Sequence, residues 1–128
     1  MLDHISIGVR DLQRSIAFYD AVIAPLGYAR LFATAKAAGW GTPPGKDEAF
    51  AVIQEAAGLP CGSSFMSHIA FTAPTRAAVA AFYDAAMKNG AESQGEPRLY
   101  PEHGVNYFAA FVGDSDGYNI EAVCHAAQ

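Results

Sequence analysis

The chain is poor in charge, in cysteine and in basic residues, and each shortage removes a class of explanation. Of its 128 residues two are cysteine, Cys61 and Cys124, and their spacing is not that of a metal-binding pair. A disulfide scaffold and a cysteine-based zinc site are therefore excluded, and reduced thiols acting as small hydrophobes in a cytoplasmic protein are expected. Eight Lys and Arg face thirteen Asp and Glu, for a net charge of −5. The basic residues (Arg10, Arg14, Arg30, Lys36, Lys46, Arg76, Lys88, Arg98) stand singly, so no patch for nucleic acid or an acidic membrane forms. No apolar run approaches the length that spans a bilayer. Met1-Leu2-Asp3-His4 has neither the basic nor the apolar region of a signal peptide.

What the chain does have is apolar content, 52% of residues against 16% charged. That is ample for one compact core. It is also more than the surface of so small a monomer is expected to absorb, which predicts a homodimer with a buried interface.

The sequence also repeats itself. His4-Ile5 and Ala17-Phe18-Tyr19-Asp20-Ala21 recur as His68-Ile69 and Ala81-Phe82-Tyr83-Asp84-Ala85 at one constant offset. A repeat marks a structural unit, and two copies suit a two-module domain. We expect module one over residues 1–55, a linker over 56–64 rich in Gly, Pro and Ser, and module two over 65–128, together a single domain.

Module one opens with alternation over Leu2–Val9, placing Ile5, Ile7 and Val9 on one strand face and His4, Ser6 and Gly8 on the other. Asp11 has the place of an N-cap for a helix carrying Leu12, Ile16, Tyr19 and Ile23, which Pro25 and Gly27 close. Short strands are expected at Tyr28–Phe32, Ala38–Trp40 and Phe50–Gln54. Module two repeats the order: a strand over Phe65–Ala73, a helix capped by Thr75 and stopped at Asn89-Gly90, and a strand near Ala91–Gln94. A loop over Gly95–Asn106 and strands at Tyr107–Val112 and Tyr118–Val123 follow. Asp114-Ser115-Asp116-Gly117 supplies the tight turn between the last two.

The fold class is thus α+β, two tandem βαβββ modules forming a curved mixed sheet around a cleft, with helices on the outer face. In the last strand Tyr118, Ile120 and Ala122 share one face and Asn119 and Glu121 the other. A carboxylate inside an apolar strand needs solvent or a partner. If Ile120 packs on a helix as Ile5 and Ile69 do, Glu121 shares the side of His4 and His68. Two imidazoles and a carboxylate on a concave sheet face would hold a divalent metal (Fe, Mn, Ni or Zn) and leave positions open for substrate or oxygen.

These features resemble the vicinal oxygen chelate superfamily, which includes glyoxalase I, bleomycin-resistance proteins, fosfomycin-resistance transferases and extradiol dioxygenases. The resemblance covers essentially the whole chain. Its strongest local motif is Phe111-Val112-Gly113-Asp114-Ser115-Asp116-Gly117-Tyr118-Asn119-Ile120-Glu121, with Ser115 where the family usually has proline. It implies His4, His68 and Glu121 as metal ligands. The family's further carboxylate, usual in glyoxalase I, is replaced here by Ala51 or Val52, which favours a three-ligand site over glyoxalase I itself.

The resemblance implies a lyase or dioxygenase acting on a small molecule bound through adjacent oxygens. The alternative is a metal-free binder like the bleomycin-resistance branch; an empty structural domain is argued against by the polar triad. Around the cleft we expect Arg98, Tyr100, Asn119 and Phe50 at the substrate. His103 or Tyr107 is expected as the acid–base or orienting group, both at the loop between cleft strands.

Overall fold

A computed structural model describes residues 1–45 and 47–127. Its first module runs β1 (Ile5–Val9), α1 (Leu12–Val22), a single 3-10 turn (Ala24–Leu26), β2 (Ala29–Ala33), β3 (Ala37–Gly41) and β4 (Phe50–Gln54). The second runs β5 (Ile69–Thr72), α2 (Arg76–Lys88), β6 (Glu92–Leu99), β7 (Phe108–Gly113) and β8 (Asn119–Cys124). The two sheets have the same plan, β1-β4-β3-β2 and β5-β8-β7-β6. In each, the first strand pairs parallel with the last and the rest pair antiparallel. The repeat in sequence is thus a repeat in topology. The sheets are two, not one continuous sheet: β1 and β5 are both edges and do not hydrogen-bond to each other.

The helix boundaries follow the expected chemistry. Asp11 and Thr75, both extended, accept from the backbone N–H of Arg14 and Ala78. Gly90 ends α2's terminal turn with φ +83°, a conformation that costs glycine little. One face of each helix packs on its own sheet, and the helices also meet each other, so both modules share one core. Tyr19, Trp40, Phe50 and Phe71 form its aromatic centre, with ring centroids 4.8–5.9 Å apart. Among the described residues no helix is long and apolar enough to cross a membrane.

The turn between β7 and β8 does more than reverse the chain. Asp114 Oδ1 accepts from the N–H of Asp116 and of Tyr118, which shapes the turn. Its other oxygen accepts from Tyr19 Oη at 2.6 Å, in the first module. Burial raises the Asp114 carboxyl pKa, and burial followed by the Asp114 charge raises that of Tyr19 well above ordinary. Asp116, with a wholly buried side chain, accepts from Arg10 N–H at 3.1 Å and from Ser15 Oγ at 3.4 Å. Tyr118 Oη donates to Gly8 O at 2.7 Å. The turn is a polar clasp between modules.

Two expectations change. The strands opening each module are shorter at their N-terminal ends, so His4 and His68 precede β1 and β5 instead of lying within them. And β6 extends through Leu99, where a loop from Gly95 was expected. Pro97 is compatible with this because β6 is an edge strand, and its pairing with β7 shifts register twice, at Ser93/Gly95 and Gly95/Arg98.

Candidate functional site

Alternation along β8 sends Ile120, Ala122 and Cys124 into the shared core and leaves Asn119, Glu121 and Val123 on the open face of the second sheet. Glu121 is nevertheless only 1% exposed. Its cover is specific: Tyr107 Oη donates to Oε1 at 2.5 Å, and His68 Nε2 lies 3.1 Å from Oε2. Both carboxylate oxygens are therefore engaged, one by a phenol and one by an imidazole. Phe111, directly opposite Glu121 in the β7–β8 register, sets its ring edge-on to His68.

The short loop after β6 folds over the same face. Tyr100, Ala109 and Val123 form a second small core there, with Tyr107 and Phe111 packed against it. The Tyr107 ring lies between two imidazoles, His103 and His125, each 5.2 Å away between centroids. Burial, then the bond to Glu121, pushes the Tyr107 phenol pKa up to about 12. It is thus a fixed donor at neutral pH. Because the folded value lies above the unfolded one, this contribution to stability is fully present below about pH 10 and lost as pH rises through about 12. An ultraviolet phenolate titration of the protein minus that of Tyr107→Phe should show one phenol ionising near pH 12. Ionisation near pH 10 would mean that the bond to Glu121 does not hold in solution.

A cavity of about 300 Å³ adjoins this pair, bounded by Phe65, Met66, His68, Gln94, Phe111 and Asn119, with His103 at its rim. A larger hollow of about 570 Å³ lies under the linker, but its polar groups, Arg10, Gln54 and Glu55, are already hydrogen-bonded within the chain.

Of the residues singled out from the sequence, His68, Glu121 and Tyr107 come together, and His103 and Asn119 border the cavity. His4 belongs to the first sheet's edge; its Nδ1 lies 2.6 Å from Asp3 Oδ1, a bond that raises its pKa. Among the described residues no group of three His, Cys, Asp or Glu is placed to hold a metal ion. Phe50 corrects the expectation of a substrate contact. It is 1% exposed in the helix-side core, because the alternation of β4 points Phe50 and Val52 toward α1. Arg98 and Tyr100 engage each other, the guanidinium 3.7 Å above the ring of the buried tyrosine, and neither lines the cavity.

The sequence reading missed Gln94, Phe111, the Phe65-Met66 pair and His125. Phe111 was findable, since the tight Asp114–Gly117 turn fixes the register that sets it opposite Glu121. The others depend on the bulged β6, on the linker's path and on where the chain goes after β8, none of which leaves a periodic signal.

Comparison with known proteins agrees with this architecture. The family model described as Glyoxalase/Bleomycin resistance protein/Dioxygenase superfamily matches residues 1–122. A glyoxalase/bleomycin resistance protein from Albidiferax ferrireducens T118 is 26% identical, with TM-score 0.81 over 97% of this chain and 98% of that one. A putative glyoxalase from Bacillus halodurans is 25% identical, with TM-score 0.73 over 97% and 95%. Fosfomycin resistance protein FosX from Mesorhizobium loti, 21% identical with TM-score 0.65 over 97% and 91%, shares the fold. No curated protein matches the chain significantly. The doubled βαβββ plan and a family match over nearly the full length lead to one conclusion: the chain belongs to the Glyoxalase/Bleomycin resistance protein/Dioxygenase superfamily.

Proposed function

We propose that the protein is a small-molecule metalloenzyme, a lyase or dioxygenase in type, whose site is the open face of the second sheet. The observation that carries this is the His68–Glu121 contact, a nearly fully buried carboxylate facing an imidazole at 3.1 Å beside a cavity. The two donors are close enough to chelate one divalent ion, Fe, Mn, Ni or Zn. They fit the ion in softness and charge. The third ligand is His4, which the repeat sets in the place His68 holds in its own module. Since no three such ligands gather among the described residues of one chain, His4 of the partner subunit completes the set in a homodimer. Phe65 and Met66, which edge the cavity, are strongly exposed, as expected of a surface that a second copy covers.

When bound, the ion supplies Lewis-acid polarisation of two neighbouring substrate oxygens. The chain's residues do the rest. Tyr107 fixes Glu121 through Oε1 and leaves Oε2 directed at His68, while His103 stands at the rim as the group able to exchange a proton with bound substrate.

The saturation of Glu121 by Tyr107 and His68 favours a second reading, a metal-free binding protein in which the carboxylate is already satisfied. Elemental analysis after purification without chelator separates the two. The enzyme reading predicts close to one divalent ion per chain and a light-scattering mass twice 13.5 kDa. A metal-free protein would favour the binder, and a 13.5 kDa species would remove the shared site.

A further inference from the structure

The cavity beside His68 is lined by no Asp, Glu, Lys or Arg, and its polar wall is made of two amides, Asn119 and Gln94, together with Ser67 and the rings of His68 and His103. Asn119 is held rigidly. Its Nδ2 donates to Ser64 O at 3.2 Å and to Ser67 O at 2.9 Å, and its backbone N–H donates to Ser63 Oγ. Two carbonyl acceptors on one end of the amide identify that end as the nitrogen, so Oδ1 faces the other way. There Gln94 Nε2 donates to it at 2.8 Å. The orientation of Asn119 thus dictates that of Gln94 and leaves Gln94 Oε1 without a hydrogen-bond partner among the described residues.

The backbone is built around this arrangement. Gln94 sits where β6 slips register between Ser93 and Gly95, a bulge that re-aims its side chain. The amide lies across Gly113 of β7, where an added Cβ would come within 2.9 Å of Nε2. A residue larger than glycine at 113 would force the amide away. The apolar part of the cavity wall is Phe65, Met66 and Phe111.

We propose that Gln94 is a specificity-determining residue that selects an uncharged ligand with an apolar or aromatic face and a hydrogen-bond donor, N–H or O–H, on its edge. The donor is read by Gln94 Oε1 and the flat face by Phe111. An anionic group is disfavoured against the Gln94 amide itself, because its oxygen lone pairs would meet Oε1, another acceptor. The inference rests on the proposed small-molecule site for its location and adds the class of ligand.

The test uses three probes sharing one ring: benzamide (uncharged donor), benzoate (anion) and toluene (no donor). Each is titrated by ligand-detected NMR into the full-length protein and into Gln94→Met, which keeps the side-chain volume. One neutral hydrogen bond is worth up to about tenfold in affinity. The wild type should bind benzamide about tenfold more tightly than benzoate. Gln94→Met should lose about that factor for benzamide and keep its affinity for toluene. Benzoate binding as tightly as benzamide, or equal losses of benzamide and toluene in the variant, would overturn the assignment. Metal content measured on the same samples separates the two ideas. Selectivity that persists in a protein that purifies metal-free sinks the metalloenzyme reading alone, and a protein that purifies metal-loaded but shows no selectivity once a chelator has removed the ion sinks this inference alone.

Discussion

Asp116→Ala is expected to destabilise the fold by about 3 kcal/mol, a fall in Tm of about 10 °C for a domain of this size. The carboxylate is wholly buried and accepts from the Arg10 N–H and the Ser15 hydroxyl of the other module. Truncation leaves both donors without their acceptor, at about 1–3 kcal/mol for each buried group. The Arg10 and Arg14 guanidinium groups, at 3.5 and 3.9 Å, are half exposed and regain water, so they add little. Asp11→Ala removes only an exposed helix cap and serves as the reference, at about 1 kcal/mol. Thermal and urea unfolding of both variants decide the matter. An Asp116→Ala loss no larger than that of Asp11→Ala would mean that the clasp does not hold the modules together.

Glu121→Ala should lower affinity for divalent metal by at least about 100-fold, since losing even a residue that merely supports a ligand costs 10–100-fold. It also removes the acceptor that Tyr107 and His68 share, so the two rings lose their fixed positions. Glu121→Gln guards against a folding explanation. It keeps the volume and one oxygen for Tyr107, and should stay folded while losing the ionic attraction for the metal. Isothermal titration with Zn or Mn reports both. Unchanged metal affinity in Glu121→Ala, in a protein that folds, would remove Glu121 from the ligand set.

Much of this was legible beforehand, for identifiable reasons. The repeat from His4 to His68 is matched by two sheets of identical strand order, and the helix caps at Asp11 and Thr75 lie where their chemistry requires. The nearness of His68 to Glu121 was legible by running the alternation of β5 one residue back beyond its start, since the parallel register of β5 and β8 sets Ala70 beside Glu121. What alternation does not give is which face of a strand meets a helix when both faces are apolar or small. In β4, Phe50, Ala51 and Val52 are all buried, so Phe50 was assigned to the wrong side. Nor does it reveal a bulge. The Gly95–Leu99 segment has the glycine and proline of a loop, yet edge pairing carries it as a strand, and Gln94 gains its aim from that irregularity. The role of Asp116 was hidden because a turn aspartate is explained locally, while its partners lie 106 and 101 residues away.

In the proposed site the His68–Glu121 pair of one chain is completed by His4 of another. Metal content after co-expression of His4→Ala and Glu121→Ala chains tests it directly. Each variant alone should purify nearly metal-free. In the mixed dimer, the His4→Ala copy supplies His68 and Glu121 and the Glu121→Ala copy supplies His4, so one intact site forms. Elemental analysis of the purified heterodimer should therefore find close to one divalent ion per dimer, half the wild-type content. A heterodimer as empty as either variant alone would contradict the shared site.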